Sequence, residues 1–239
     1  GLFLGFVHPR IALEPVMLEG EQSLRIAGQR AGLWRRWGRR EEGRGVGVAV
    51  LHPHPHMGGD MDNNVVLAVI EELQRREAVA ATLRFDFGPD LEANGTEALA
   101  ALARLREEPH VASVACVGYS FGALVTLELL ARNGAEQRAE AKPLTGAALV
   151  AVPTDLLRPE WRGALGRLAE GGLSLALVAG SADQYCRERA LRELHAQVGP
   201  AAALTVVPNA DHFFRAAGWL REAALAASEV AVTSRRGAL

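Results

Sequence analysis

The sequence points to an α/β fold in which a mostly parallel sheet carries helices on both faces, on three grounds. Short apolar runs alternate with helix-period stretches from Val46 onward, as strands buried on both faces and joined by crossover helices do. The run Val111 to Val117 ends in Gly118-Tyr119-Ser120-Phe121-Gly122, and helix period continues through Arg132, so a tight strand-to-helix turn presents a serine. Two segments near the start, Glu14 to Glu19 and Ser23 to Ala27 about Gly20-Glu21, read as strands of an antiparallel hairpin at one edge.

In chain order, Gly28 and Gly32 interrupt the stretch after the hairpin, and Trp34-Arg35-Arg36-Trp37-Gly38-Arg39-Arg40 mixes basic and aromatic residues. Acidic Glu41-Glu42 comes next with no nucleic-acid-binding motif around it, so the stretch reads as a solvated strand or turn. Val46 to Leu51 is the first fully apolar strand and delivers the chain into His52-Pro53-His54-Pro55-His56. Helix period resumes over Asn63 to Arg76, with Val66, Leu67, Ile70 and Leu73 on one stripe and Asp62 or Asn63 as the cap. Strands are then predicted at Val79 to Phe85, Ser113 to Tyr119, Gly146 to Val152, Ser174 to Ala179 and Leu204 to Val207. The helices between and after them are Thr96 to Arg106, Ala123 to Arg132, Pro159 to Glu170, Arg187 to Val198 and a long final Phe213 to Val232. No repeat, low-complexity tract or linker divides the chain, so 1–239 reads as one domain with its core at about 46–239.

Composition narrows the function classes. The 239 residues are 49% hydrophobic and 23% charged, ordinary for a globular chain. A formal net charge of -2 and a pI near 6.4 give no general attraction to nucleic acid or acidic membranes. The opening Gly1 to Val7 is apolar but too short to span a membrane and lacks a basic flank. Cys116 falls inside a strand and Cys186 comes after a later one, so a disulfide is not expected and a reducing, cytoplasmic location is. The chain begins without Met, which leaves room for an upstream segment.

In a parallel α/β sheet the ligand site lies at the carboxyl ends of the strands. The chemistry-bearing residues there are the His52 to His56 run, Ser120, Thr154-Asp155, Asp183 and Asp211-His212. A hydroxyl nucleophile needs a base, and the base needs a carboxylate to fix its tautomer. Ser120 is the candidate nucleophile, His212 the base and Asp183 the carboxylate, with Asp155 the rival. Asp183 also reads as a cap for the helix near Arg187, His212 as a residue leading into the last helix, and Asp211 as the cap of that helix. Gly118 and Gly122 keep the elbow small, and the Phe121 N–H is placed for a developing oxyanion.

Three alternating histidines suggest a metal, but each pair is separated by a proline and no carboxylate or cysteine spacing completes a site, so a metal is not expected. The loop reads instead as the second half of an oxyanion hole. Pro53 and Pro55 have no N–H, which makes His54 the first free donor after His52, with His56 and Met57 behind it. Gly58-Gly59 lets the chain turn closely past the site.

An apolar strand running into His-Pro-His-Pro, then Gly58-Gly59-Asp60-Met61 and Asn63-Asn64-Val65-Val66, combines with Gly-Tyr-Ser-Phe-Gly, Gly180-x-x-Asp183 and Asp211-His212-Phe213-Phe214. Together these resemble the compact α/β-hydrolases related to dienelactone hydrolases and small serine esterases, from about Val46 to the final helix. The order Ser, Asp, His is that of α/β-hydrolases. The resemblance implies an α/β-hydrolase fold and a cofactor-free serine hydrolase. Two departures qualify it. Dienelactone hydrolases proper use a Cys nucleophile where this chain has Ser120, so lactone specificity is not inherited. Relatives often carry Phe-Arg-Gly after the fourth strand, where this chain has acidic Phe85-Asp86-Phe87-Gly88-Pro89-Asp90.

The expected reaction is hydrolysis of a small ester or thioester through an acyl-enzyme on Ser120, with Asp183 orienting His212 and the N–H groups of Phe121 and His54 holding the oxyanion. Thr154 to Gly172 has room for little more than one helix, so a large lid is not expected, and Trp161, Phe121 and Phe213 are candidates for an apolar wall. A ligand-binding protein without turnover and an acyltransferase using the same residues are the alternatives.

Overall fold

The computed structural model describes residues 17–36 and 45–233. The opening apolar run, the start of the first expected strand, and the Trp37 to Glu42 part of the basic aromatic stretch lie outside the described residues.

The edge hairpin pairs β1 (Glu21–Ile26) with β2 (Gln29–Arg35). Its turn is Ala27-Gly28 rather than Gly20-Glu21. Both turn residues sit at positive φ, 48° and 84°, as a two-residue hairpin loop must be to match the strand twist. Leu18 to Gly20 instead form a bend that leads into β1.

The other strands are β3 (Gly45–Leu51), β4 (Val79–Phe85), β5 (Val111–Tyr119), β6 (Leu144–Val150), β7 (Ser174–Gly180) and β8 (Ala202–Val207). The eight form one sheet in the order β1-β2-β4-β3-β5-β6-β7-β8, antiparallel at β1/β2 and β2/β4 and parallel from β4 to β8. The helices are α1 (Asn64–Arg75), α2 (Leu91–Arg106), α3 (Phe121–Ala139), α4 (Pro159–Glu170), α5 (Glu188–Val198), α6 (Ala217–Ser228) and α7 (Val230–Thr233).

Strand alternation divides the core between the two faces. In β3, Ala49 and Leu51 join the layer under α2 to α5, while Val46, Val48 and Val50 join the layer under α1, α6 and α7. β3 and β4 are buried throughout, since helices seal both faces; β3 is continuously apolar, while β4 also carries buried Thr82 and Arg84.

Helix ends show where sequence periodicity misleads. Asn63 caps α1, its Oδ1 accepting the Val65 N–H at 2.9 Å. α2 starts earlier than expected because Asp90 Oδ1 accepts from the N–H groups of Glu92 and Ala93, and because buried Asn94 donates to the Gly88 carbonyl at 2.7 Å. A capped first turn outweighs the low helix propensity of Asn94 and Gly95. α3 runs on to Ala139, past Asn133-Gly134, with Gly134 buried close against the Leu168 side chain of α4. The expected single last helix is two, α6 and α7, and it begins at Ala217 because Phe214 at φ 47° breaks helical geometry.

The edge hairpin is fastened by charge. Arg84 on β4 is fully buried and donates to both oxygens of Glu21, at 2.9 and 2.6 Å, to the Met61 carbonyl at 2.9 Å, and to Asp62. Arg30 reaches Asp86 at 2.7 Å and Asp62 at 3.1 Å. Buried charges persist only when paired in this way. The pairs join β1 and β2 to the loops at the ends of β3 and β4.

Candidate active site

Strand order reverses between β3 and β5. The chain leaves β3 through α1 to β4 on one side, then recrosses through α2 to β5 on the other, which opens a crevice at their carboxyl ends. Ser120 comes directly after β5, and the His52 to Gly59 loop directly after β3.

Ser120 sits at φ 54° and ψ −111°, a strained turn conformation for a non-glycine residue. Its N–H is held by the Val150 carbonyl of β6 at 2.8 Å, and its own carbonyl accepts the Ala123 N–H at 3.0 Å as α3 begins. The elbow glycines are required by close approach. A Cβ on Gly118 would lie 2.2 Å from the Gly122 carbonyl oxygen, and one on Gly122 would lie 2.4 Å from that of Leu51. The elbow is thereby pressed onto the end of β3, next to the histidine loop.

Ser120 Oγ lies 2.9 Å from His212 Nε2. His212 Nδ1 lies 2.9 and 3.0 Å from the two oxygens of Asp183. A carboxylate only accepts, so Asp183 fixes the proton on Nδ1 and leaves Nε2 free to accept from Ser120. Asp183 Oδ1 also accepts the N–H groups of Tyr185 and Cys186, each at 2.8 Å. Its capping role therefore serves the turn before α5, and it coexists with the contact to His212. Asp155, the rival carboxylate, is exposed and paired with Arg187 at 2.8 Å. Asp211 accepts the Phe213 N–H at 3.0 Å and pairs with Arg215 at 2.8 Å, so it caps the loop turn and not the last helix, whose cap is Ala216.

The histidine loop closes into a short 3-10 turn over Pro55–Met57. The His54 carbonyl accepts from Met57 and Gly59 N–H, the Pro55 carbonyl accepts from Gly58 N–H, and His54 Nδ1 accepts from His56 N–H. The donors of residues 56 to 59 are thus used within the turn. Among the described residues no group accepts from the backbone N–H of His54 or of Phe121. The His54 ring packs on Phe121 at 4.6 Å, and burial together with neighbouring His56 lowers its pKa below the usual histidine value. Gly58 at φ 82° makes the turn, and a Cβ on Gly59 would strike the Pro53 carbonyl.

His52 points away from the cleft. Its Nε2 accepts the Phe87 N–H at 3.0 Å, its Nδ1 faces the Pro53 carbonyl at 2.6 Å, and its ring stacks on Phe87 at 3.6 Å. An acceptor Nε2 beside a carbonyl-facing Nδ1 fixes one neutral tautomer, and both ring nitrogens are engaged. The acidic loop after β4 has a structural role: Asp86 accepts the Met61 N–H at 2.9 Å and pairs with Arg30, while Phe87 holds His52. Among the described residues no group of three or more His, Cys, Asp or Glu is placed to hold a metal ion.

The cleft at Ser120 has a volume of about 280 Å³ and is lined by Phe121, Phe213, Tyr185, Asn63 and Leu156 among others. Phe121 and Phe213 stand where the apolar wall was expected. Trp161 does not: it is buried on the inner side of α4 with its Nε1 donating to Glu128 at 3.0 Å. After β6 come only a short turn and α4, with no larger cap. Sequence reasoning missed Tyr119, whose hydroxyl donates to the His212 carbonyl at 2.9 Å. Burial, with the nearby Asp183 and Asp211 charges, raises its pKa and keeps the phenol protonated. It missed Tyr185 as well, whose ring meets His212 edge-on at 4.8 Å. Tyr119 fills a variable position of the elbow motif and Tyr185 lies outside any motif, and each matters through a contact with His212 that only folding creates. Cys116 and Cys186 are buried free thiols, and no helix among the described residues is long and apolar enough to cross a membrane.

No family model matches the sequence, and no curated protein matches it. Solved structures do. An α/β serine hydrolase without a lid from Xanthomonas campestris superposes with a TM-score of 0.66 at 18% identity, covering 93% of this chain and 97% of its own. A putative α/β hydrolase from Agrobacterium tumefaciens gives 0.66 at 23% identity over 92% and 98%. A dienelactone hydrolase from Anabaena variabilis gives 0.64 at 20% identity over 88% and 96%. Agreement along nearly the whole chain, together with the parallel sheet and the elbow at its centre, establishes that this chain has the α/β-hydrolase fold.

Proposed function

We propose that the protein is a serine hydrolase that cleaves an ester or thioester of a small molecule through an acyl-enzyme on Ser120. One observation carries this reading: the unbroken hydrogen-bond chain from Asp183 through His212 to Ser120 Oγ, which opens into the cleft. In the reaction His212 Nε2 takes the proton of Ser120 as Oγ bonds to the substrate carbonyl carbon. The oxyanion is held by the N–H groups of Phe121 and His54, to which no other acceptor among the described residues is turned. His212 then gives its proton to the leaving oxygen or sulfur, and the carbonyl–heteroatom bond breaks. Water, deprotonated by the same histidine, repeats the sequence and releases the acid. Asp183 keeps the imidazole in the one tautomer that can do this and steadies its charge.

Labelling with a fluorophosphonate tests the reading, because only an activated serine reacts. Wild type takes up one label and Ser120→Ala none, and p-nitrophenyl acetate hydrolysis shows the same pattern. An unlabelled, inactive wild type overturns the hydrolase reading in favour of a ligand-binding one. Product analysis with added alcohols separates water from other acyl acceptors.

A further inference from the structure

The hydrolase reading, on which this inference rests, leaves both halves of the substrate unspecified, but the surroundings of His212 bear on one of them. The leaving-group oxygen must come within about 3 Å of His212 Nε2 to receive its proton. Whatever that oxygen carries therefore lies against the side chains that border the imidazole on the cleft side. These are two aromatic rings. Tyr185 meets His212 edge-on at 4.8 Å and is 43% exposed, and Phe213 meets it edge-on at 5.4 Å and is half-buried. The third aromatic neighbour, Tyr119, is buried, with its hydroxyl committed to the His212 carbonyl.

Charge narrows the class further. Among the described residues, no Asp, Glu, Lys or Arg lines the cleft. The guanidinium of Arg215 lies 4.7 Å over the Phe213 ring but is paired with Asp211 at 2.8 Å, so little net charge stands beside the ring to draw a cationic or an anionic group. The mouth is apolar, with Met57 71% exposed and Leu156 60% exposed. The cleft of about 280 Å³ has room for one ring and a short acyl group.

We propose that the leaving group is an uncharged aromatic alcohol, seated between Tyr185 and Phe213, and that this side of the scissile bond, not the acyl side, carries the aromatic specificity. The test holds the acyl group constant. Benzyl, cyclohexylmethyl and 2-methoxyethyl acetates all form the same acetyl-enzyme, so deacylation is common to them and kcat/KM reads how each alcohol is accommodated during acylation. The expected preference for benzyl over 2-methoxyethyl is about tenfold or more, from aromatic contact added to apolar burial. It falls to about threefold or less in Tyr185→Ala and in Phe213→Leu, since each removes one of the two rings. The backbone N–H of residue 185 still reaches Asp183 in the first variant, so the chain from Asp183 to Ser120 is kept, and the readout is the ratio of the benzyl to the 2-methoxyethyl rate within each variant. In the acyl-side arm, methyl phenylacetate gains no comparable advantage over methyl methoxyacetate.

Equal rates on the three acetates overturn the inference while the hydrolase reading stands. So does a preference that survives in both variants, or one that appears on the acyl side. If no acetate is hydrolysed and fluorophosphonate leaves Ser120 unlabelled, the hydrolase reading falls and the inference falls with it.

Discussion

Replacing Asp183 by Asn alters one atom of the charge chain and leaves the fold in place. Asp183 Oδ1 accepts two backbone N–H groups, from Tyr185 and Cys186 at 2.8 Å each, and lies 3.0 Å from His212 Nδ1, while Oδ2 faces His212 Nδ1 at 2.9 Å without a backbone donor. In the Asp183→Asn variant the amide oxygen must stay with the two backbone donors, because turning the NH2 group toward them would set donor against donor. The NH2 group then occupies the Oδ2 position and donates to Nδ1. The imidazole proton moves to Nε2, which can no longer accept from Ser120 Oγ. The expected loss in kcat for p-nitrophenyl acetate is about 10⁴-fold, or about 5.5 kcal/mol of transition-state stabilisation. Both backbone hydrogen bonds survive, so the melting temperature shifts by no more than about 2 °C, the scale of a change under 1 kcal/mol. Asp155→Asn is the control and keeps wild-type kcat, since Asp155 is exposed and touches Arg187 rather than His212. The assay is steady-state hydrolysis normalised by fluorophosphonate titration of active serine. An Asp183→Asn enzyme within tenfold of wild type, or an Asp155→Asn enzyme that falls as far, would refute this assignment.

The close contacts and buried groups predict three other outcomes. Gly122→Ala places a Cβ 2.4 Å from the Leu51 carbonyl oxygen, so the end of β3 must shift; a destabilisation of about 1–3 kcal/mol and loss of labelling at Ser120 are expected, and a normal melt with full labelling would contradict the close approach. Burial pushes the Cys116 thiol up to about 11 and raises that of Cys186 as well, so a disulfide reagent at mild pH should titrate neither until denaturant is added and should leave ester hydrolysis untouched. The His54 pKa is held below its ordinary 6.5 in the folded state, so the neutral ring's contribution to stability is complete above that value and is lost as pH falls from it through the folded pKa. The melting temperature of wild type should therefore drop more steeply below pH 6.5 than that of His54→Gln, and parallel curves would show that His54 is not the group concerned.

How far the sequence reached differs from residue to residue. β4 and α4 lie at the bounds expected of them, since a mostly apolar run that stops at Asp86, and a Pro-led amphipathic stretch, are set by local pattern. Ser120, Asp183 and His212 were legible because each comes shortly after an apolar run, and a parallel sheet gathers such positions at one edge. Elimination also singled out His54 as the first free donor of its loop, since proline cannot donate, but only the folded turn shows the N–H groups of His56, Met57, Gly58 and Gly59 turned inward. The hairpin turn was misplaced because Ala27 at positive φ has no sequence signature, and the last helix was overrun because apolar periodicity does not register a left-handed Phe214.

Hydrophobic period and residue chemistry were enough to set the order of strands and helices, the glycine-bounded elbow and the choice of Ser, Asp and His. Distances between segments far apart in the chain come from packing alone. Packing separates Asp183 from Asp155 as the partner of His212, and removes Trp161 from the cleft. It sets Tyr185 and Phe213 beside the imidazole, and ties the acidic loop after β4 to Arg30 and His52. A local pattern fixes which way a side chain leaves its own strand or helix, whereas its partner is fixed by the assembly of the whole sheet.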